Sequence, residues 1–134
     1  MTIIKRFEEY GVQVKEVVNC GGIAEKSPLT MQIYADVCNR PMKISRSPQT
    51  CALGATIFGA VAGGAFKSVL AAQKKMTGVK PTVYKPNKHA TAVYTKLYAL
   101  YHDLHDSFGV ANHGQSLYHV MKELIAVRDA VRKD

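Results

Sequence analysis

Residues Val14–Ser27 read VKEVVNCGGIAEKS, and the fold turns on how this stretch is read. Val14–Asn19 has the make-up of a buried strand that runs into Cys20-Gly21-Gly22 and on to a helix opening at Ser27-Pro28. Glycine lets a backbone turn sharply, and with no Cβ it lets a bound molecule come close. The first turn of a helix adds unpaired N–H groups and the positive end of the helix dipole, which suit a phosphate or another anion. A glycine pair is also a common tight turn with no ligand at all. The neighbouring sequence has to decide between the two.

Downstream, Ser27 fits a helix N-cap and Pro28 the first helical position. Leu29, Ile33 and Val37 then recur at helical spacing through Cys38, and Asn39-Arg40-Pro41 breaks the run. Met42–Ser45 follows as a short second strand. Strand, helix and strand with a short return predict a βαβ unit, hence two parallel strands and a right-handed crossover. Upstream, Ile3–Tyr10 has helical spacing and Gly11 is placed to end it. Val12–Asn19 ends in Val17-Val18, as expected of a strand covered on both faces.

The pattern then repeats. Ser47-Pro48 predicts a second N-cap and first-turn proline, opening a helix rich in small residues: Ala52, Gly54, Ala55, Gly59, Ala60 and Ala62. Those residues point to close packing rather than chemistry. Gly63-Gly64 should break this helix before another over Phe66–Met76, closed by Gly78, with Val83-Tyr84 as a short extended link. Beyond Asn87, Val93, Leu97, Leu100, Leu104 and Phe108 mark one face of a long helix, flanked by Tyr94, Tyr98 and Tyr101. After a polar turn at Gly109–Gly114, Leu117, Met121, Leu124, Val127 and Val131 mark a second, giving a helical hairpin.

Composition narrows the function classes. The sequence of 134 residues is long enough for one domain with a real core, and 47% hydrophobic with 21% charged residues is ordinary for a soluble protein. No apolar run reaches membrane-spanning length, and Met1–Arg6 lacks the layout of a secretory signal, so a cytoplasmic protein without a membrane partner is expected. Cys20, Cys38 and Cys51 form no CxxC pair and read as reduced, mostly buried thiols. The formal charge of +8 raises nucleic acid as a partner, but the cations are scattered and no aromatic-basic stacking stretch accompanies them. Lys74-Lys75 and Arg132-Lys133 sit where helices should end and where the dipole favours cations. A solvated basic surface without nucleic acid is the expectation. His102, His105, His113 and His119 have no cysteine or carboxylate cluster to complete a metal site, so no metal ligands are assigned.

Four spaced blocks carry a more specific signal: Cys20–Pro28 (CGGIAEKSP), Met31–Val37 (MQIYADV), Asn39-Arg40-Pro41 and Gln49–Ala55 (QTCALGA). In that order they resemble the C-terminal region of FGGY-family carbohydrate kinases, most of all the members that phosphorylate L-ribulose. Tyr84–Asn87, Leu97-Tyr98 and Met121–Leu124 resemble the same enzymes, so the likeness covers nearly the whole chain. It implies an α/β fold: part of a ribonuclease-H-like domain of the actin, Hsp70 and hexokinase ATPase type, with a βαβ unit plus a C-terminal helical hairpin. Residues 1–82 would be the nucleotide-binding side of the second kinase domain, and residues 83–134 the hairpin packed on it. Gly21 and Gly22 would run close to the adenosine and first phosphate of ATP, with Lys26 and Ser27 as weaker contacts. ATP or ADP and a ketopentose would be the ligands of the full-length enzyme, with Mg2+ as the companion ion.

The family's N-terminal phosphate hairpin, with its Asp-x-Gly-Thr pattern, does not occur in this sequence. The aspartate that acts as base toward the sugar hydroxyl also belongs to earlier parts of such an enzyme. The chain is therefore expected to be roughly the last quarter of a kinase, either expressed as a piece or naturally truncated, and inactive alone because phosphoryl transfer depends on positioning and charge stabilisation. A removed domain would leave an apolar edge open to self-association, so a homo-oligomer is among the expected partners. The competing reading is a non-catalytic α/β interaction module, either a degenerate kinase remnant or a basic surface for an acidic partner.

Overall fold

The computed structural model describes residues 1–110, 113, 114 and 116–132. The chain divides into two compact units, Met1–Asn87 and Lys88–Asp134. The first begins with helix α1 (Thr2–Glu9), after which Gly11 takes the left-handed backbone at φ 82 that ends it. Strand β1 (Val17–Asn19) comes next, then a one-turn helix α2 (Gly22–Lys26), helix α3 (Pro28–Cys38) and strand β2 (Met42–Ser45). Helices α4 (Thr50–Ala62) and α5 (Val69–Met76) precede strand β3 (Val79–Tyr84).

The three strands form one sheet in the order β1-β2-β3. β1 and β2 are parallel, with Val17 opposite Met42 and Asn19 opposite Ile44, as the βαβ reading requires. β3 returns antiparallel beside β2, with Met42 opposite Tyr84 and an irregularity between Lys43 and Ser45. That third strand corrects the reading of Val83-Tyr84 as a mere link. Pro81 lies within it, and a proline is tolerated there because β3 is an edge strand that need not donate on both sides. The opening strand is also shorter than expected, and it is not covered on both faces. Val18 is 51% exposed on the other sheet edge, and Glu16 beside the strand pairs with Lys43 of β2 at 2.6 Å.

The core of this unit gathers Ala24 from α2, Met31 from α3 and Ile44 from β2, with Tyr84 of β3 packed against them. Only 1% of Met31 is exposed, so it is the plug of the cluster. Helix α3 starts and stops where its sequence says. Ser27 Oγ accepts the Thr30 N–H at 3.3 Å, Pro28 opens the helix, and Asn39 closes it in the left-handed region at φ 49. Helix α4 begins later than Ser47-Pro48 suggests. The Gln49 N–H donates to Ser47 Oγ at 3.2 Å and Gln49 takes the cap position, so the Ser47 hydroxyl serves the turn before the helix. Helix α5 likewise begins after Phe66, where Ser68 Oγ accepts the Ala71 N–H at 3.2 Å.

The thiols depart from expectation. All three are free, but Cys20 and Cys51 are exposed and Cys38 is half-buried. Cys20 leaves the end of an edge strand and Cys51 lies in the first turn of α4, so neither has an element to cover it.

The second unit contains α6 (Lys88–Gly109) and α7 (Tyr118–Val131). Leu100 of α6 and Val120 of α7 are buried, and His119 Nε2 lies 3.3 Å from Asp103 Oδ2, linking the two helices. Part of the turn expected at Gly109–Gly114, namely Ala111 and Asn112, lies outside the described residues, as does Lys133 of the Arg132-Lys133 pair. Among the described residues, no helix is long and apolar enough to cross a membrane.

Candidate functional site

The glycine turn sits at the C-terminal end of β1. Gly21 has φ 88 and ψ 178, a backbone region that is essentially reserved for glycine. Gly22 begins α2, whose first turn closes when the Glu25 N–H donates to Gly21 O at 3.2 Å. Ala24 anchors the helix in the core. A Cβ placed on either glycine would meet no atom within 4 Å. The pair therefore leaves open space over the backbone, and nothing in the packing of this chain forbids a side chain at Gly22.

Of the four residues predicted from the sequence, the structure joins Gly21 and Gly22 in this turn and sets Lys26 and Ser27 at the far end of α2. Lys26 is exposed as the last residue of α2. Ser27 Oγ is engaged by Thr30, through its N–H and through its Oγ1 at 2.7 Å. The helix that follows the glycines directly is thus the short α2, which the sequence reading passed over. At the opening of α3, Pro28 has no N–H and the Thr30 N–H is taken by Ser27, so fewer donors face outward there than the sequence promised.

Sequence reasoning missed one ion pair beside the turn. Lys80 Nζ of β3 bonds to Glu25 Oε2 of α2. The other oxygen, Glu25 Oε1, is buried without a hydrogen-bond partner among the described residues. No local signal could have exposed this, since the partners are far apart in sequence and β3 was not foreseen. In the second unit, Asp106 takes His102 Nδ1 at 2.9 Å on one oxygen and His105 Nδ1 at 3.0 Å on the other. The hydrogen bond from His105 is the largest cause holding the Asp106 carboxyl below its ordinary pKa. Among the described residues, no three or more His, Cys, Asp or Glu side chains converge as a metal site would need.

The fold of this chain is found in solved sugar kinases. The chain superposes with a TM-score of 0.65 on the ligand-bound xylulose kinase of Lactobacillus acidophilus, at 23% identity over 75% of this chain and 20% of that one. It matches the gluconate kinase of the same organism equally well, with TM-score 0.65 and 23% identity over 75% of this chain and 20% of that one. At the level of sequence, residues 1–63 match the C-terminal domain of the FGGY family of carbohydrate kinases. The ribulokinase of Halalkalibacterium halodurans is 43% identical over 130 residues, covering 94% of this chain and 22% of that protein. The ribulokinase of Geobacillus thermodenitrificans is 46% identical over 111 residues, 80% of this chain and 20% of that protein. That of Mycolicibacterium smegmatis is 39% identical over 129 residues, 96% of this chain and 23% of that protein. By sequence the chain is similar to the C-terminal region of FGGY-family carbohydrate kinases, with residues 1–63 matching the family's C-terminal domain. It spans about a fifth of the length of these relatives.

Proposed function

We propose that this chain forms part of the nucleotide-binding side of an ATP-dependent sugar kinase that converts L-ribulose and ATP to L-ribulose 5-phosphate and ADP, a step of L-arabinose catabolism. The observation that carries this reading is the glycine turn. It has a glycine-only backbone at Gly21 and open space over both glycines, and it lies within the residues that match the family. In this reading the backbone of Gly21 and Gly22 borders the adenosine and the first phosphate, while Lys26 and Ser27 lie further along. Residues 1–82 serve as the nucleotide side of the second kinase domain and residues 83–134 as its helical hairpin.

When bound, ATP supplies the phosphoryl group that is transferred to a sugar hydroxyl. The residues of this chain fit the adenosine side of that ligand, because the turn leaves open space over the backbone of both glycines for a nucleotide to approach. The Mg2+ that accompanies ATP is held by the phosphates and one or two carboxylates, and no residue of this chain is assigned to it. The ion and the base that takes the hydroxyl proton are assigned to the remainder of the enzyme.

Two substitutions in the full-length kinase test the reading. Gly22→Ala places a methyl group in open space on a helical residue, where alanine is preferred by up to about 1 kcal/mol. Its melting temperature should hold or rise, yet its ATP dissociation constant should rise about tenfold or more. Gly21→Ala should instead lose about 1–3 kcal/mol of stability through strain at φ 88. A stable Gly22→Ala protein with unchanged ATP affinity would remove the turn from the nucleotide site and leave an ordinary tight turn. That outcome would favour the interaction-module reading.

A further inference from the structure

The Glu25–Lys80 pair joins α2 to β3. β1, which delivers the glycine turn, lies at one edge, and β3, which carries Lys80, lies at the other. Glu25 reaches across from α2 with only 22% of its side chain exposed, and the Lys80 side chain is 36% exposed. The backbone of Glu25 simultaneously holds Gly21, its N–H donating to Gly21 O at 3.2 Å. One residue therefore grips the turn with its backbone and the far strand with its side chain.

Apart from Ala24 in the core and its junction with α3, the ion pair is the side-chain contact that fixes α2 among the described residues. The helix is five residues long, it buries only Ala24, and no side chain caps its N-terminus. A helix that short has no intrinsic stability, so its orientation is set by tertiary contacts. Glu25 Oε1 is buried and has no partner among the described residues, so the charge on this carboxylate is answered by Lys80 alone. Removing one partner of a sheltered pair leaves the other uncompensated, and the cheapest relief is for Glu25 to swing into water. Without the pair α2 keeps only the Ala24 contact and its junction with α3, so Gly21 and Gly22 at its start are freer to shift.

We infer that Glu25 and Lys80 are positioning residues that hold the Gly21-Gly22 turn in its nucleotide-accepting geometry. This rests on the function proposed above. Glu25 lies within residues 1–63, which match the family's C-terminal domain, and Lys80 beyond them, so the pair ties that segment to the strand that follows it.

The experiment uses Lys80→Met, Glu25→Gln and the charge-exchanged double variant Glu25→Lys/Lys80→Glu. In the 134-residue chain, NMR follows the backbone amides of Gly21 and Gly22. In the full-length kinase, steady-state kinetics separate the KM for ATP from kcat. Lys80→Met should displace both glycine amides and raise the KM for ATP about tenfold. Its kcat should stay within about twofold, because the pair does not touch the reacting atoms. Glu25→Gln, which keeps an acceptor for Lys80, should do the same more weakly, and the double variant should restore the amides. Glycine amides unmoved by Lys80→Met would overturn the inference, as would displacement that the exchange fails to reverse. Amides that move and recover while the KM for ATP stays constant would support the positioning role and count against the nucleotide reading instead.

Discussion

Asp36 illustrates how much a single buried residue holds together. It lies on α3 with 5% of its surface exposed, and its Oδ1 accepts from Gln32 Nε2 at 2.9 Å and from the Asn87 backbone N–H at 2.7 Å. Gln32 Nε2 also donates to Lys85 O at 2.9 Å, so the pair fastens the chain after β3 to the helix. Asp36→Ala should cost about 2 kcal/mol, the usual worth of hydrogen bonds to a charged acceptor, while Asp36→Asn keeps an acceptor and should lose less. Urea unfolding of the two variants gives the comparison, and equal losses would show that the acceptor is not what matters. Nothing in the sequence around Asp36 announces this role, because its partner Asn87 comes from the far end of the unit. The glycine turn was legible at the same scale, since a glycine pair after an apolar strand is a local signal. Which glycine carries the unusual backbone was not. It is Gly21, and Gly22 is helical.

Among the elements, those that carry their own stop and start signals were read well. Helix α3 begins at Ser27-Pro28 and ends at Asn39 because a cap hydroxyl, a first-turn proline and a left-handed asparagine are all encoded within it. Helix α6 was legible through its long apolar periodicity. The failures are elements whose existence depends on distant neighbours. β3 interrupts its apolar residues with Pro81 and becomes a strand only by lying against β2, while α2 is too short to leave a periodic trace. On α6 itself, Asp106 makes a pH prediction. Its pKa is lowered mainly by the His105 hydrogen bond, opposed by burial and aided by the charges of His102, His105 and His113. A carboxylate whose pKa is lowered by folding stabilises the folded state above the unfolded value, near 3.9, and loses that contribution as pH falls through the folded value. The melting temperature of the chain should therefore drop more steeply below about pH 4 in the parent than in Asp106→Asn. Parallel curves for the two proteins would mean that the histidine contacts contribute nothing to folding.

For the molecule as a whole, the family resemblance was the most legible feature, since four blocks in fixed order carried it through most of the chain. The same sequence contains no Asp-x-Gly-Thr pattern. The isolated chain should accordingly show no ATP-dependent phosphorylation of L-ribulose, measured as ADP release. Turnover that disappears in Gly22→Val would refute this and reveal a complete site within these residues. The sheet has a consequence for how the molecule comes into being. β2 is the middle strand and bonds on both sides, to β1 before it and to β3 long after it. As the chain leaves the ribosome, β2 can pair with β1 at once, but one of its edges stays bare until two further helices have been made. Long-range pairing of this kind is slow and leaves sticky backbone exposed meanwhile. Residues 1–63, which match the family's C-terminal domain, end before β3 exists, so that segment by itself cannot close its own sheet.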